Sequence, residues 1–422
     1  MRARGRDVDV TIFGATGFVG RLTAGYLART GSGIRFALAG RSPSRLEEIR
    51  NSLGRRANDW PLIVADVGSP DSLDAMAARS RLVLNAVGPY TKYGLPVVAA
   101  CAEAGSDYID LTGEVPFVRR SIDQSHARAR DSGARIVHSC GFDSIPSDLT
   151  VYALSRQAAT DSAGELAETT LVLRDYSGGY AGGSVATMVE LMRLSASDPE
   201  VRQMLDDPYS LSPDRAAEPD LGHQVDLPLL PGAEVAPELA GLWTSGYVMA
   251  LYNTRCVRRS NALMEWTYGR RFRYTETLIM GSFPGAALAG AMFNAGIAAA
   301  SRFGGHYLRL LPTGLVDRMT PTAGTGNDMG ARGHYRVETY ATTTTGRRYR
   351  ATITQAADPG YSATAVLGGE SALALVLDRD RLPERHGVLT PASAMGDVLL
   401  DRLPAAGVAF ETVGLPSSGH GM

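Results

Sequence analysis

Lysine is nearly missing from this chain: of 42 basic residues, Lys92 alone is a lysine. That scarcity removes several chemistries. A short-chain dehydrogenase needs a Tyr-x-x-x-Lys pair, but Gly88 stands four residues before Lys92. A phosphate loop needs lysine directly after its last glycine, and a pyridoxal enzyme would have only Lys92 for its Schiff base. Cysteine is sparse as well. Cys101, Cys140 and Cys256 lie far apart with no CxxC pair, so neither a disulfide framework nor a zinc cluster is expected, no metal site is assigned, and the compartment reads as reducing cytoplasm. With 42 basic against 44 acidic residues there is no positive excess to hold nucleic acid. Arg2, Arg4 and Arg6 run at once into Asp7 and Asp9 without an apolar signal region, which argues against secretion. Charge is also missing from Leu278 to Ser301, a run long enough to cross a bilayer on length alone. Pro284 and many glycines and alanines weaken its transfer free energy, so we read a buried or small-residue interface helix first, peripheral membrane contact second and a true span last, with a homodimer left open.

The most informative stretch is Val10 to Gly20, VTIFGATGFVG, where an apolar strand runs into Gly14, Gly17 and Gly20 and then a helix-forming segment. Gly14 permits the tight reversal, Gly17 lets the backbone approach a pyrophosphate, and Gly20 lets the helix pack close to the strand. Ala15, Thr16, Phe18 and Val19 complete the turn, and the first helical amides face the phosphates. A second strand, Ile34 to Ala39, ends in Gly40-Arg41-Ser42, where an NAD-selective site carries an acid. None stands there. Arg41, with Ser42 and Arg45 one turn on, offers a cationic fork for a 2′-phosphate, which favours NADP over NAD.

At 422 residues the chain is too long for one ordinary core, and 44% apolar with 20% charged residues describes a globular protein of at least two domains. Strands at Val8 to Phe13, Ile34 to Ala39, Pro61 to Val64, Leu82 to Asn85, Tyr108 to Asp110 and Ile136 to Ser139 alternate with helices such as Gly17 to Thr30 and Leu95 to Ala104. This is the pattern of a Rossmann-type doubly wound parallel sheet, with ligands beyond the carboxyl ends of the strands. Asp66 and Val67 would sit by the adenine. Asn85, Ala86, Val87 and Gly88 would line the pyrophosphate and nicotinamide ribose. A second α/β domain is expected from a strand over Glu168 to Tyr176, a helix over Ser184 to Leu194 and a hairpin of Gly333 to Thr343 with Arg348 to Gln355. The Pro-, Asp- and Ala-rich stretch from Ser197 to Gly241 reads as a long excursion that could cover the cleft. The expected division is 1–150, 151–380 and 381–422.

GATGFVG, AGRS at 39–42, NAVGPY at 85–90, YIDLTGE at 108–114 and CGFDSIPSDL at 140–149 together resemble the saccharopine dehydrogenase-like oxidoreductases. With GVLTPASAMGDVLLDRL at 387–403, order and length are similar to the actinobacterial trans-acting enoyl reductases, a family associated with polyketide-derived envelope lipids. The resemblance implies a Rossmann domain, a second α/β domain across a substrate cleft and a C-terminal helix returning to the first. It implies NADPH-dependent reduction of a carbon–carbon double bond in a carrier-bound acyl chain, beside a partner polyketide synthase. Such a reaction needs a donor for the enolate oxygen and an acid for the α-carbon. Tyr90 is the first candidate, unless it packs against the cofactor; Asp143 and Ser144 follow, unless Asp143 caps the next helix. The alternatives are an imine or carbonyl reductase using Arg174, Arg255, Arg258 and Arg259 to hold substrate carboxylates, and a non-catalytic NADP-binding module.

Overall fold

The computed structural model describes residues 6–30, 33–178, 182–310 and 333–416. Among these residues the chain forms two seven-stranded sheets. The first is built from β1 (Val8–Phe13), β2 (Phe36–Gly40), β3 (Leu62–Val64), β4 (Ser80–Asn85), β5 (Asp107–Asp110) and β6 (Arg135–Val137), linked by α1 (Phe18–Thr30), α2 (Pro43–Ser52), α3 (Pro70–Arg79), α4 (Tyr90–Ala104) and α5 (Val115–Ser132). Every residue of β1 and β2 is buried, as a parallel sheet covered on both faces requires. These six run in the order β6-β5-β4-β1-β2-β3, all parallel, so the strand order reverses between β1 and β4 and a crevice opens at the glycine turn.

α6 (Ile145–Thr160) leads out of this sheet into the second, whose strands lie in the order Ala409–Leu415, Arg348–Gln355, His334–Thr343, Leu166–Ser177, Arg273–Gly281, Trp243–Gly246 and Leu230–Pro231. It starts with β7 (Leu166–Ser177), followed by α7 (Gly182–Ser197) and α8 (Pro199–Asp206). Then come β8 (Leu230–Pro231), the short α9 (Gly232–Val235), β9 (Trp243–Gly246), α10 (Ala250–Leu263), β10 (Arg273–Gly281) and α11 (Ala286–Leu310). β11 (His334–Thr343) and β12 (Arg348–Gln355) form the expected hairpin, with Tyr340 opposite Arg350. The Thr364–Leu377 helix packs on α1, and β13 (Gly387–Leu389) joins the first sheet beside β6. After the Pro391–Arg402 helix, β14 (Ala409–Leu415) pairs with β12 of the second sheet. One continuous core joins the halves, from Val10 and Ile12 through Leu149 and Leu154 to Leu171 and Ile353.

The charge-free run is not a single element. Leu278–Gly281 finishes β10, a turn at Ser282–Gly285 follows, and α11 starts at Ala286. Nor is the helix buried: Leu288 and Met292 are about two-thirds exposed, and Phe303 about half. The described helical segment long and apolar enough to cross a bilayer is instead Pro359–Leu377, which is mostly buried in the core.

Candidate active site

The glycine turn has the geometry its spacing predicts. Gly14 sits at φ +85°, and a Cβ on Gly20 would lie 2.3 Å from the Gly14 carbonyl oxygen and 3.1 Å from the Ala15 Cα. The amides of Gly14 and Ala15 are tied to the Ala39 carbonyl, at 3.0 and 3.3 Å, which leaves the free amino end of α1 to an anion. Thr16, Phe18 and Val19 lie on this turn and first helical residues, and the Phe18 ring meets Tyr361 edge-on at 4.5 Å. Arg41 follows β2, exposed and with no hydrogen bond or ion pair to a described residue. Ser42 accepts from the Arg45 amide at 3.4 Å as the cap of α2. Asp66 follows β3 with its carboxylate on the Gly68 amide at 2.8 Å, and Val67 is next to it. At the end of β4, Asn85 accepts from the Val87 amide at 2.9 Å and donates to Tyr108 at 3.0 Å, while the Ala86 amide binds the Phe13 carbonyl and Gly88 continues the loop. These residues stand together at one end of the sheet, past the carboxyl ends of β1 to β4.

Tyr90 points inward. Its hydroxyl donates to the Asn85 carbonyl at 3.1 Å and accepts from the Leu111 amide at 3.3 Å, and burial raises it well above the ordinary phenol value. Glu114 accepts from the Tyr90 and Thr91 amides at 2.9 and 2.6 Å, placing a carboxylate on the positive end of α4. Thr187 of α7 donates to the same carboxylate at 3.0 Å, so Glu114 ties the start of α4 to α7. Burial raises it, and the helix amides offset part of the rise.

Asp143 and Ser144 lie in the loop between β6 and α6. The Ser144 hydroxyl is buried and donates to Asn253 Oδ1 at 2.7 Å. Asp143 differs: half-buried, its carboxylate has no hydrogen-bond partner among the described residues, and burial alone pushes it up to about 6. Its backbone is held by Asn253 Nδ2, which reaches the Asp143 carbonyl at 2.7 Å, Ser147 Oγ at 3.0 Å and Glu276 Oε2 at 3.1 Å. On the same side, Met249 packs on Gly113, where a Cβ would come within 2.9 Å of its methyl. Asn253, Glu276 and Met249 carried no sequence signal; they come from α10, β10 and the residue that caps α10, and only the fold brings them to the Asp143 loop and Gly113.

Glu276 is fully buried with Tyr274 donating at 2.8 Å, and burial pushes it up to about 7. A carboxyl whose folded pKa is raised stabilises most below its unfolded pKa and loses that contribution as pH rises through the folded value. Asp148, also up to about 6, has the same sign. The melting temperature should therefore fall between pH 5 and pH 8, and Glu276→Gln should shrink that fall. Scanning calorimetry at both pH values checks this; an unaltered pH slope in the variant counts against it.

Two other constellations are structural. Ser121, His138 and Asp110 stand in hydrogen-bonded series at 2.8 and 2.7 Å, as in a hydrolytic triad, but all three are at most 2% exposed, so no substrate can reach them. The arginines offered as carboxylate ligands are spent internally. Arg255 binds Asp226 and the Leu205 carbonyl, Arg258 the Pro208 and Tyr274 carbonyls, and Arg259 the Leu211 and Val388 carbonyls. Arg174 pairs with Glu338 at 3.2 Å. Instead of facing a cleft, α10 buries its cations as struts that clamp the 205–226 excursion and β13.

Residues 10–137 match the saccharopine dehydrogenase NADP binding domain. A trans-acting enoyl reductase of Mycobacterium bovis is 57% identical over 413 residues, 97% of this chain and 99% of its own. That of Mycobacterium ulcerans is 54% identical over 418 residues, covering 98% and 100%. Saccharopine dehydrogenase (L-Glu forming) from Saccharomyces cerevisiae superposes with a TM-score of 0.56 over 97% of this chain and 100% of that one, at 14% identity, and shares the fold. The NADP binding domain match and the named relatives thus define an NADP-dependent oxidoreductase, and the fold has the architecture of saccharopine dehydrogenase. Within that class the chain belongs to the trans-acting enoyl reductase family, as its motifs led us to expect.

Proposed function

We propose that this protein reduces the carbon–carbon double bond of an enoyl thioester with NADPH, on an acyl chain carried by a separate synthase, and that Asp143 is the acid. The observation that carries the assignment of the acid is the contrast at the cofactor end of the first sheet. The Tyr90 and Ser144 hydroxyls are both committed to protein acceptors, whereas the Asp143 carboxyl has no hydrogen-bond partner among the described residues and burial raises it to about 6. The relatives' names support the acyl substrate and the separate synthase, and the internal use of Arg174, Arg255, Arg258 and Arg259 removes the four cations that the sequence offered to an amino-dicarboxylate.

The glycine turn and α1 would hold the pyrophosphate, Arg41 and the start of α2 the 2′-phosphate, and Asn85 to Gly88 the nicotinamide ribose. Bound there, NADPH supplies a hydride to the β-carbon. Asp143 gives its proton to the α-carbon and recovers one from solvent through its open edge. Asn253 and Ser144 hold the loop that aims it, and Tyr90 with Glu114 fixes the first turn of α4. NADPH oxidation should be faster with a long-chain enoyl-CoA than with a small oxo acid and an amine. The reverse preference, or NADPH binding without consumption by either, would refute the reaction.

Arg41 gives a separate test. Arg41→Ala should weaken NADPH at least about tenfold, the order of one lost charge-assisted pair, and NADH less than twofold. Equal losses in a fluorescence titration would remove the 2′-phosphate role.

A further inference from the structure

An apolar groove of about 330 Å3 lies between α7, α10 and α11, with Met188, Met192, Val248, Leu251, Gly296 and Ile297 among its walls. Ser301 is the single polar side chain among its described lining residues, so it offers nothing to recognise a charged ligand. Both inner walls are continuous in sequence with residues that touch the active site. Thr187, which donates to Glu114 beneath the first turn of α4, directly precedes Met188. Val248 and Leu251 flank Met249, which rests on Gly113, and Asn253, two residues past Leu251, holds the Asp143 loop. The outer wall opens to solvent, with Met292 67% exposed.

We infer that this groove seats the hydrocarbon tail of the substrate while its thioester end reaches Asp143. The inference rests on the acyl-thioester reading above and adds where the chain lies and why long chains are preferred. Three methionines, flexible and polarizable, can mould to a chain of varied branching, and each methylene taken from water is worth about fourfold in affinity. A groove open at its outer wall also lets a tail longer than the groove run on into solvent.

Gly296 provides the test, since a Cβ there meets nothing within 4 Å and a large side chain enters the groove without moving backbone. Gly296→Trp and, from the facing helix, Met188→Trp are compared with wild type on hexadecenoyl-CoA and crotonyl-CoA, and by calorimetry with palmitoyl-CoA, which cannot be reduced. Each variant should lower the ratio of long-chain to short-chain kcat/KM at least about tenfold, the worth of some two methylenes, and weaken palmitoyl-CoA to match. An unchanged ratio with NADPH still bound overturns the inference, including the case in which G296W only alters the sedimentation coefficient and the face proves to be a seat for a second copy. If wild type reduces no enoyl thioester yet binds palmitoyl-CoA in a G296W-sensitive way, the proposed reaction fails and the groove stands. Hexadecenoyl-CoA turnover untouched by either variant leaves the reaction and removes the groove.

Discussion

Asp143→Asn is expected to lower kcat for an enoyl thioester by roughly two to three orders of magnitude, within the range a positioned acid contributes. The amide keeps the size of the carboxyl and donates hydrogen bonds, so the loop held by Asn253 should survive, but it has no proton to give the α-carbon. NADPH affinity, set at the other end of the crevice, should stay within about twofold. The pH dependence adds a second constraint. The acid must be protonated, and burial holds its carboxyl at about 6, so wild-type kcat/KM should decline about tenfold per pH unit above that value. A chain seated over its open edge removes more water from the carboxyl and raises it further, which moves the falling limb of kcat to higher pH than that of kcat/KM. In the asparagine variant the residual rate should be flat over the same range. Retention of more than about a third of kcat, or an unaltered pH limb, would show that another group protonates the product.

Gly20→Val should weaken NADPH more than a hundredfold, the scale on which a displacement of about 1 Å costs a prealigned site. The new Cβ would meet the Gly14 carbonyl oxygen at 2.3 Å and its carbon at 2.9 Å, and these are backbone atoms that yield only if α1 shifts off β1. The helix provides its own control five residues on. A Cβ at Gly25 meets only the Arg29 side chain at 3.6 Å and the Leu53 side chain at 3.8 Å, both ordinary contacts, so Gly25→Ala should bind NADPH as wild type and be no less stable. Calorimetric titration of the pair decides the matter: equal affinity in the two variants would mean that the turn does not hold the coenzyme.

The first sheet was legible because each strand is a short apolar run ended by a turn, and a sheet covered on both faces leaves just that pattern. β13 escaped because its three residues, Gly387–Leu389, pair with Arg135–Val137 about 250 residues away and carry no period of their own. The hairpin of β11 and β12 was readable from alternation and its Thr-Gly turn. At the site, position was readable and orientation was not. Tyr90 stands after β4 as expected, yet its hydroxyl turns to the Asn85 carbonyl, and which way a side chain aims at a helix start depends on neighbours such as Phe117, 5.6 Å away ring to ring. The arginines of α10 look like a solvated basic face in sequence. They are buried because the excursion folds over them and lends its carbonyls, a partnership that spacing alone does not encode.

Both sheets take an outer strand from the last stretch of chain, β13 in one and β14 in the other. During synthesis the coenzyme-binding half must therefore wait on the ribosome with β6 as a bare edge, its amides free to pair with any passing strand, until residues past 389 emerge. An amino-terminal fragment cut near residue 160 would keep that edge permanently, and should be recovered as aggregate where the intact polypeptide is not.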